Sequence, residues 1–122
     1  TFMAREFSRN QRLGTQVLRT LSELIHRESK DPRLEGVALT GVDVSRDLGV
    51  ADVRFSLMDP DADPAEAQQG LDSAAGFLRS KLGQAIKIRR TPELRFTHDA
   101  SAAESARINA LIARAGGEAE QD

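Results

Sequence analysis

The sequence predicts an α+β domain, a three-stranded sheet covered on one side by helices. Three observations point to it. Residues 8–29 carry an apolar stripe at helical spacing, and residues 50–58 alternate apolar with polar side chains. Two further helical patterns open on clear start signals, at Asp63-Pro64 and at Ser101. The order read along the chain is α-β-β-α(kink)α-β followed by a C-terminal helix, with the three strands antiparallel. A chain of 122 residues suits one domain around one core.

The first helix places Leu13, Val17, Leu18, Leu21, Leu24 and Ile25 on one stripe, with Arg9, Arg12, Gln16, Arg19 and Arg27 on roughly the opposite side. Ser8 is its expected N-cap, and Asp31-Pro32 ends it, because residues ahead of a proline leave helical space. Thr1 and Phe2 precede Met3, which reads as the natural start. Val37–Ser45 and Val50–Met58, joined by Arg46-Asp47-Leu48-Gly49, read as a hairpin with one buried face. In the second strand Ala51, Val53, Phe55 and Leu57 point to the core.

Asp63-Pro64-Ala65-Glu66 combines an N-cap, a proline at the first helical position and an early acid. The helix continues through Leu71, Ala74, Ala75, Leu78 and Leu82. Gly76 interrupts it, since glycine inside a helix costs about 1 kcal/mol relative to alanine, and Gly83 makes a second break. Glu93 to His98 is the third strand, with Leu94 and Phe96 inward. Ser101 and Glu104 form a capping box for a last helix bearing Ile108, Leu111 and Ile112, stopped by Gly116-Gly117. The domain is expected over 3–115, with 116–122 a short acidic disordered tail.

Composition removes several kinds of chemistry. No Cys means no disulfide framework, no thiol nucleophile and no cysteine-based metal centre. No apolar run is long enough to span a bilayer, so no membrane partner is expected. His26 and His98 lie far apart and in no ligand spacing, and neither a P-loop nor a Rossmann glycine pattern is present. Ser45 and Asp47 lack a nearby His, so they read as a turn and not as a triad. No enzymatic activity, cofactor or metal is expected.

The formal charge of -2 conceals a strong pattern. Residues 1–30 sum to +3, 31–58 to -2, 59–70 to -4, 71–95 to +4 and 96–122 to -3. Two basic blocks are thus separated by an acidic middle, and local potential decides what a phosphate backbone meets. In the second block Arg79, Lys81, Lys87, Arg89, Arg90 and Arg95 follow Ala74-Ala75-Gly76 closely. A broken helix pair exposes N–H groups to an anion, and Gly76 lets a backbone approach, which is the logic of a KH module. Gly76 as a packing contact against the sheet is an equal alternative. The chain has five Phe, no Tyr and no Trp, and most of these Phe read as core, so a base-stacking platform is not expected.

Several stretches, in order and spacing, resemble the ribosome-binding factor A family of bacterial small-subunit assembly factors. They are Arg5-Glu6-Phe7, Arg9-Asn10-Gln11-Arg12, Lys30-Asp31-Pro32-Arg33-Leu34 and Val42-Asp43-Val44-Ser45-Arg46-Asp47-Leu48, then Ala75-Gly76-Phe77-Leu78-Arg79, Leu82-Gly83 and Arg90-Thr91-Pro92-Glu93-Leu94-Arg95-Phe96. The resemblance runs from Met3 to about Ala115, with Asn10 standing where proline is common in the family. It implies a type II KH-like fold whose Gly-x-x-Gly loop is replaced by a kink of Ala-x-Gly pattern, here Ala74-Ala75-Gly76. It also implies a monomeric, cytoplasmic, non-catalytic factor that binds the free 30S small subunit and its 16S rRNA. Such a factor supports late rRNA processing and cold adaptation, with other assembly factors as further partners. The residues expected to meet RNA are Ala74, Ala75, Gly76, Arg79, Lys81, Lys87, Arg89 and Arg90, then Arg9, Arg12, Arg19 and Arg46. From the residues alone, a protein–protein adaptor and a small metal-dependent enzyme remain as alternatives.

Overall fold

The computed structural model describes residues 2–101, 108–109 and 111–113, with side chains from Arg9 onward. Helix α1 spans Phe2–Glu28, a short 3-10 turn follows at Pro32–Leu34, and strands β1 (Val37–Val44) and β2 (Val50–Leu57) form the hairpin. Helix α2 (Ala65–Ala85) leads to β3 (Glu93–His98).

Helix α1 starts before Ser8, so Ser8 is an interior residue and not the expected cap. Ala4, Arg5 and Glu6 are good helix formers with no proline or glycine among them, and nothing local stops the helix there. At its other end Asp31 caps the 3-10 turn, its carboxylate accepting from the Arg33 N–H at 2.9 Å. Helix α1 buries Gly14, Val17, Leu21 and Ile25 against the sheet. A Cβ at Gly14 would stand 2.7 Å from the Val42 carbonyl oxygen, so glycine sets how closely helix and strand approach.

The sheet has the order β1-β2-β3. β1 and β2 are antiparallel, whereas β2 and β3 are parallel, with Val50 opposite Glu93 and Phe55 opposite His98. The expected all-antiparallel sheet is therefore corrected to a mixed one. The reason is topological: α2 carries the chain back along the sheet, so β3 leaves in the direction of β2. The register of β1 shifts between Leu39 and Gly41, a bulge at Thr40 that keeps Leu39, Val42 and Val44 packed against the core despite their odd spacing.

Helix α2 runs unbroken from Ala65 to Ala85, so the expected helix pair with breaks at Gly76 and Gly83 is corrected to one helix. Leu71, Leu78 and Leu82 at helical spacing, with Ala67 and Gly70, hold its inner face down firmly enough to carry both glycines. Pro64 occupies the cap position, while the Asp63 carboxylate still accepts from the Ala65 N–H at 3.0 Å. One core joins these elements: Val17, Leu21 and Ile25 from α1, Ala51, Val53 and Phe55 from β2, Leu71, Leu78 and Leu82 from α2, and Leu94 and Phe96 from β3. After β3, the described residues Ala100, Ser101, Ile108, Asn109, Leu111, Ile112 and Ala113 are helical. Asp99, not Ser101, accepts at this start, taking the Ser101 N–H at 3.1 Å and its hydroxyl at 2.5 Å. Glu104, Gly116-Gly117 and the expected tail lie outside the described residues.

Candidate nucleic-acid interface

Four segments meet at one end of the sheet. The Asn10 side-chain amide donates to the Ser45 carbonyl at 3.5 Å, which ties α1 to the turn between β1 and β2. The Glu93 N–H donates to the Gly49 carbonyl at 2.9 Å, which ties that turn to the start of β3. Arg79 on α2 donates to the Thr91 carbonyl at 2.9 and 3.3 Å, and Gly83 lies so close that a Cβ there would stand 2.8 Å from the Thr91 hydroxyl. The fold thus gathers the turn, the connection from Ile86 to Pro92 and flanks of both helices.

The turn itself is tightly held. The Asp47 carboxylate accepts the Gly49 N–H at 2.9 Å and the Ser45 hydroxyl at 2.8 Å, while the Val50 N–H donates to the Ser45 oxygen at 3.0 Å. Those bonds, the Gly49 N–H first and the Ser45 hydroxyl next, hold the Asp47 carboxyl below its ordinary range, and the charge of Arg90 adds to this. Leu48 sits at a φ of 60°, left-handed backbone that a branched side chain enters only under constraint. The result is a stiff turn that presents Arg46 to solvent.

Of the basic residues expected to meet RNA, the structure gathers most and disperses some. Arg46, Arg79 and Arg90 stand at this end, Lys87 and Arg89 are exposed on the same connection, and Arg9 and Arg12 flank Asn10 on α1. Arg19 is exposed, but it lies nine residues beyond Asn10, about 14 Å along the helix axis. Lys81 faces the other flank of α2, its ammonium 3.8 Å from Glu28 and over the Phe77 ring at 5.7 Å from the centroid. Arg79 is engaged by its own chain, so it positions the 86–92 connection besides offering charge.

Gly76 is exposed on α2, one helical turn before Arg79, and a Cβ built there meets nothing within 4 Å. It is therefore not a packing glycine against the sheet, which removes one of the two alternatives read from the sequence. Ala74 and Ala75 beside it are partly buried against the core. Because α2 is continuous, no helix N-terminus offers free N–H groups at this point.

The opposite end of the sheet is acidic. An open groove of about 290 Å³ lies there, lined by residues including Glu35, Met58, Asp59, Asp63 and Glu66. The carboxylates of the open face of the sheet are engaged by their neighbours: Arg54 bonds Asp43 at 2.6 Å, Thr97 donates to Asp52 at 2.9 Å, and Arg95 lies 4.0 Å from Glu93. The His98 ring packs on Phe55 at 5.4 Å between centroids, and His26 is exposed in the last turn of α1. No helix among the described residues is long and apolar enough to cross a membrane.

A helix-backed mixed sheet with basic side chains collected at one end defines a KH-like α+β domain. The family described as Ribosome-binding factor A matches residues 9–112. Relatives of that name from Thioalkalivibrio sulfidiphilus and Hahella chejuensis are 46% and 49% identical, each alignment covering 93% of this chain and 88% of the relative. The chain belongs to the ribosome-binding factor A family. Its fold matches the crystal structure of ribosome-binding factor A from Thermus thermophilus at a TM-score of 0.66 and 28% identity, over 73% of this chain and 94% of that one. It also matches a homology model of the Thermus thermophilus factor fitted into the cryo-EM map of a 30S complex, at a TM-score of 0.60 and 28% identity, over 72% and 92% of the two chains.

Proposed function

We propose that this protein is a non-catalytic assembly factor that docks on the free 30S small subunit through its 16S rRNA. In this reading it supports late rRNA processing and growth in the cold, and it acts in the cytoplasm. One observation carries the reading: in a member of this family, Arg46, Arg89, Arg90 and Lys87 are collected at one end of the fold, and on α2, one turn before Arg79, an exposed Gly76 packs against nothing. Cationic side chains would neutralise phosphates, and the bare helix surface at Gly76 would let an RNA backbone lie close. The homology model of the Thermus thermophilus factor, fitted into the map of a 30S complex, supports the same partner.

Sedimentation of lysate through a sucrose gradient tests the docking. The protein should travel with free small subunits, and its confinement to the top of the gradient would refute the reading. Replacing Arg89 and Arg90 by Ala should weaken subunit binding and reduce the slope of log affinity against log salt by about two, one for each lost phosphate contact. An adaptor that recognised protein would keep a shallow slope in both forms.

A further inference from the structure

The five phenylalanines do not share one role. Phe55 and Phe96 are buried in the core, whereas Phe77 is 49% exposed on α2, directly after Gly76. Side chains on a helix lean toward its N-terminus over the residues three and four positions earlier, here Ala74 and Ser73, both too small to cover a ring. One turn further on, the Lys81 ammonium stands over the ring at 5.7 Å from its centroid and is itself held 3.8 Å from Glu28. The ring is thus steadied by a cation and still open to solvent.

We propose that Phe77 stacks on one unpaired nucleobase of the RNA whose backbone lies over Gly76. The inference rests on the docking reading above and names the chemistry by which that site holds RNA. Ser73, Gly76 and Ser80 around the ring on α2 are small, which leaves room for a flat base, while Lys81 covers part of the ring and pairs with Glu28. A protein side chain docking there would meet one ring in polar surroundings, without the apolar centre of a protein interface. A single ring recognises a base without regard to its identity, because every base has a π-face.

The chain has no Trp and no Tyr, so Phe77→Trp creates a single fluorophore at the proposed contact. Purified small subunits should quench the emission of this variant on binding, whereas inorganic polyphosphate, which carries no bases, should not quench it. Phe77→Ala and Phe77→Leu should each lose roughly tenfold in affinity at every salt concentration, with the salt slope unchanged. Full binding by Phe77→Leu would overturn the proposal, since any apolar side chain would then suffice. A blue shift without quenching in Phe77→Trp would overturn it as well, by placing the ring in a protein pocket. If the parent itself fails to bind subunits, the docking reading falls too; if it binds and the Phe77 variants match it, stacking alone falls. Should Phe77→Ala unfold, the Trp variant still decides by its emission.

Discussion

Gly14 and Gly76 sit in two helices and carry opposite consequences. At Gly14 an added Cβ meets the backbone oxygen of Val42 at 2.7 Å, which a side-chain rotation cannot relieve. Alanine gains about 1 kcal/mol in helix propensity, but overpacking against backbone costs about 1–3 kcal/mol. Gly14→Ala should therefore lower unfolding stability by up to about 2 kcal/mol in a denaturant titration. At Gly76 nothing opposes the new methyl group. Gly76→Ala should raise stability by up to about 1 kcal/mol while weakening small-subunit binding. A variant that gains stability and binds unchanged would show that Gly76 has no part in docking. The sequence presents both as interior helical glycines, and only the neighbouring strand distinguishes them.

Among the elements, the β1–β2 turn makes its own prediction. Asp47 is held below its ordinary range when folded, by the Gly49 N–H first and the Ser45 hydroxyl next. A carboxylate with a depressed folded value contributes stability that is complete above the unfolded value, about 3.9, and is lost as pH falls through the folded one. Asp31 behaves alike, through its bonds with Arg33. Thermal melts from roughly pH 6 down to pH 2 should show the midpoint falling fastest below the ordinary carboxylate range. Asp47→Asn keeps an acceptor oxygen and removes the titration, so its midpoint should fall less over that range. The same turn shows what was legible in the chain. Ser45-Arg46-Asp47-Leu48-Gly49 announced a turn by composition, but the left-handed Leu48 did not, because that strain comes from the bonds around it. Local patterns also gave β2 and β3, whose alternation is regular. They misjudged α2, where Gly76 and Gly83 read as breaks although Leu71, Leu78 and Leu82 hold the helix through both. They did not single out Phe77, because an aromatic side chain reads as core by its type, although at ~100° per residue it falls about 120° from the Leu71, Leu78 and Leu82 stripe.

At the scale of the whole molecule, the near-zero net charge becomes a polarity. β1 runs from the acidic groove toward the basic turn and β2 runs back, so strands of eight residues hold the two ends roughly 26 Å apart. That separation exceeds the ~8 Å screening length at physiological salt, so each end acts on a partner almost independently. The sequence supplied the two basic blocks but not their meeting, which depends on the path of α2.

The parallel alignment of β3 with β2 also sets a timetable. β1 and β2 are joined by a turn and can zip as soon as both have left the ribosome. β3 has no place until the whole crossover has been made, for Val50 and its partner Glu93 lie 43 positions apart in the chain. Contacts that close so long a loop form late. Pulse-labelling hydrogen exchange during refolding should protect the amides of β1 and β2 before those of Leu94 and Phe96. A nascent chain cut short before Glu93 would expose the β2 edge and the core side of Phe55, leaving the last strand as the step that seals the domain.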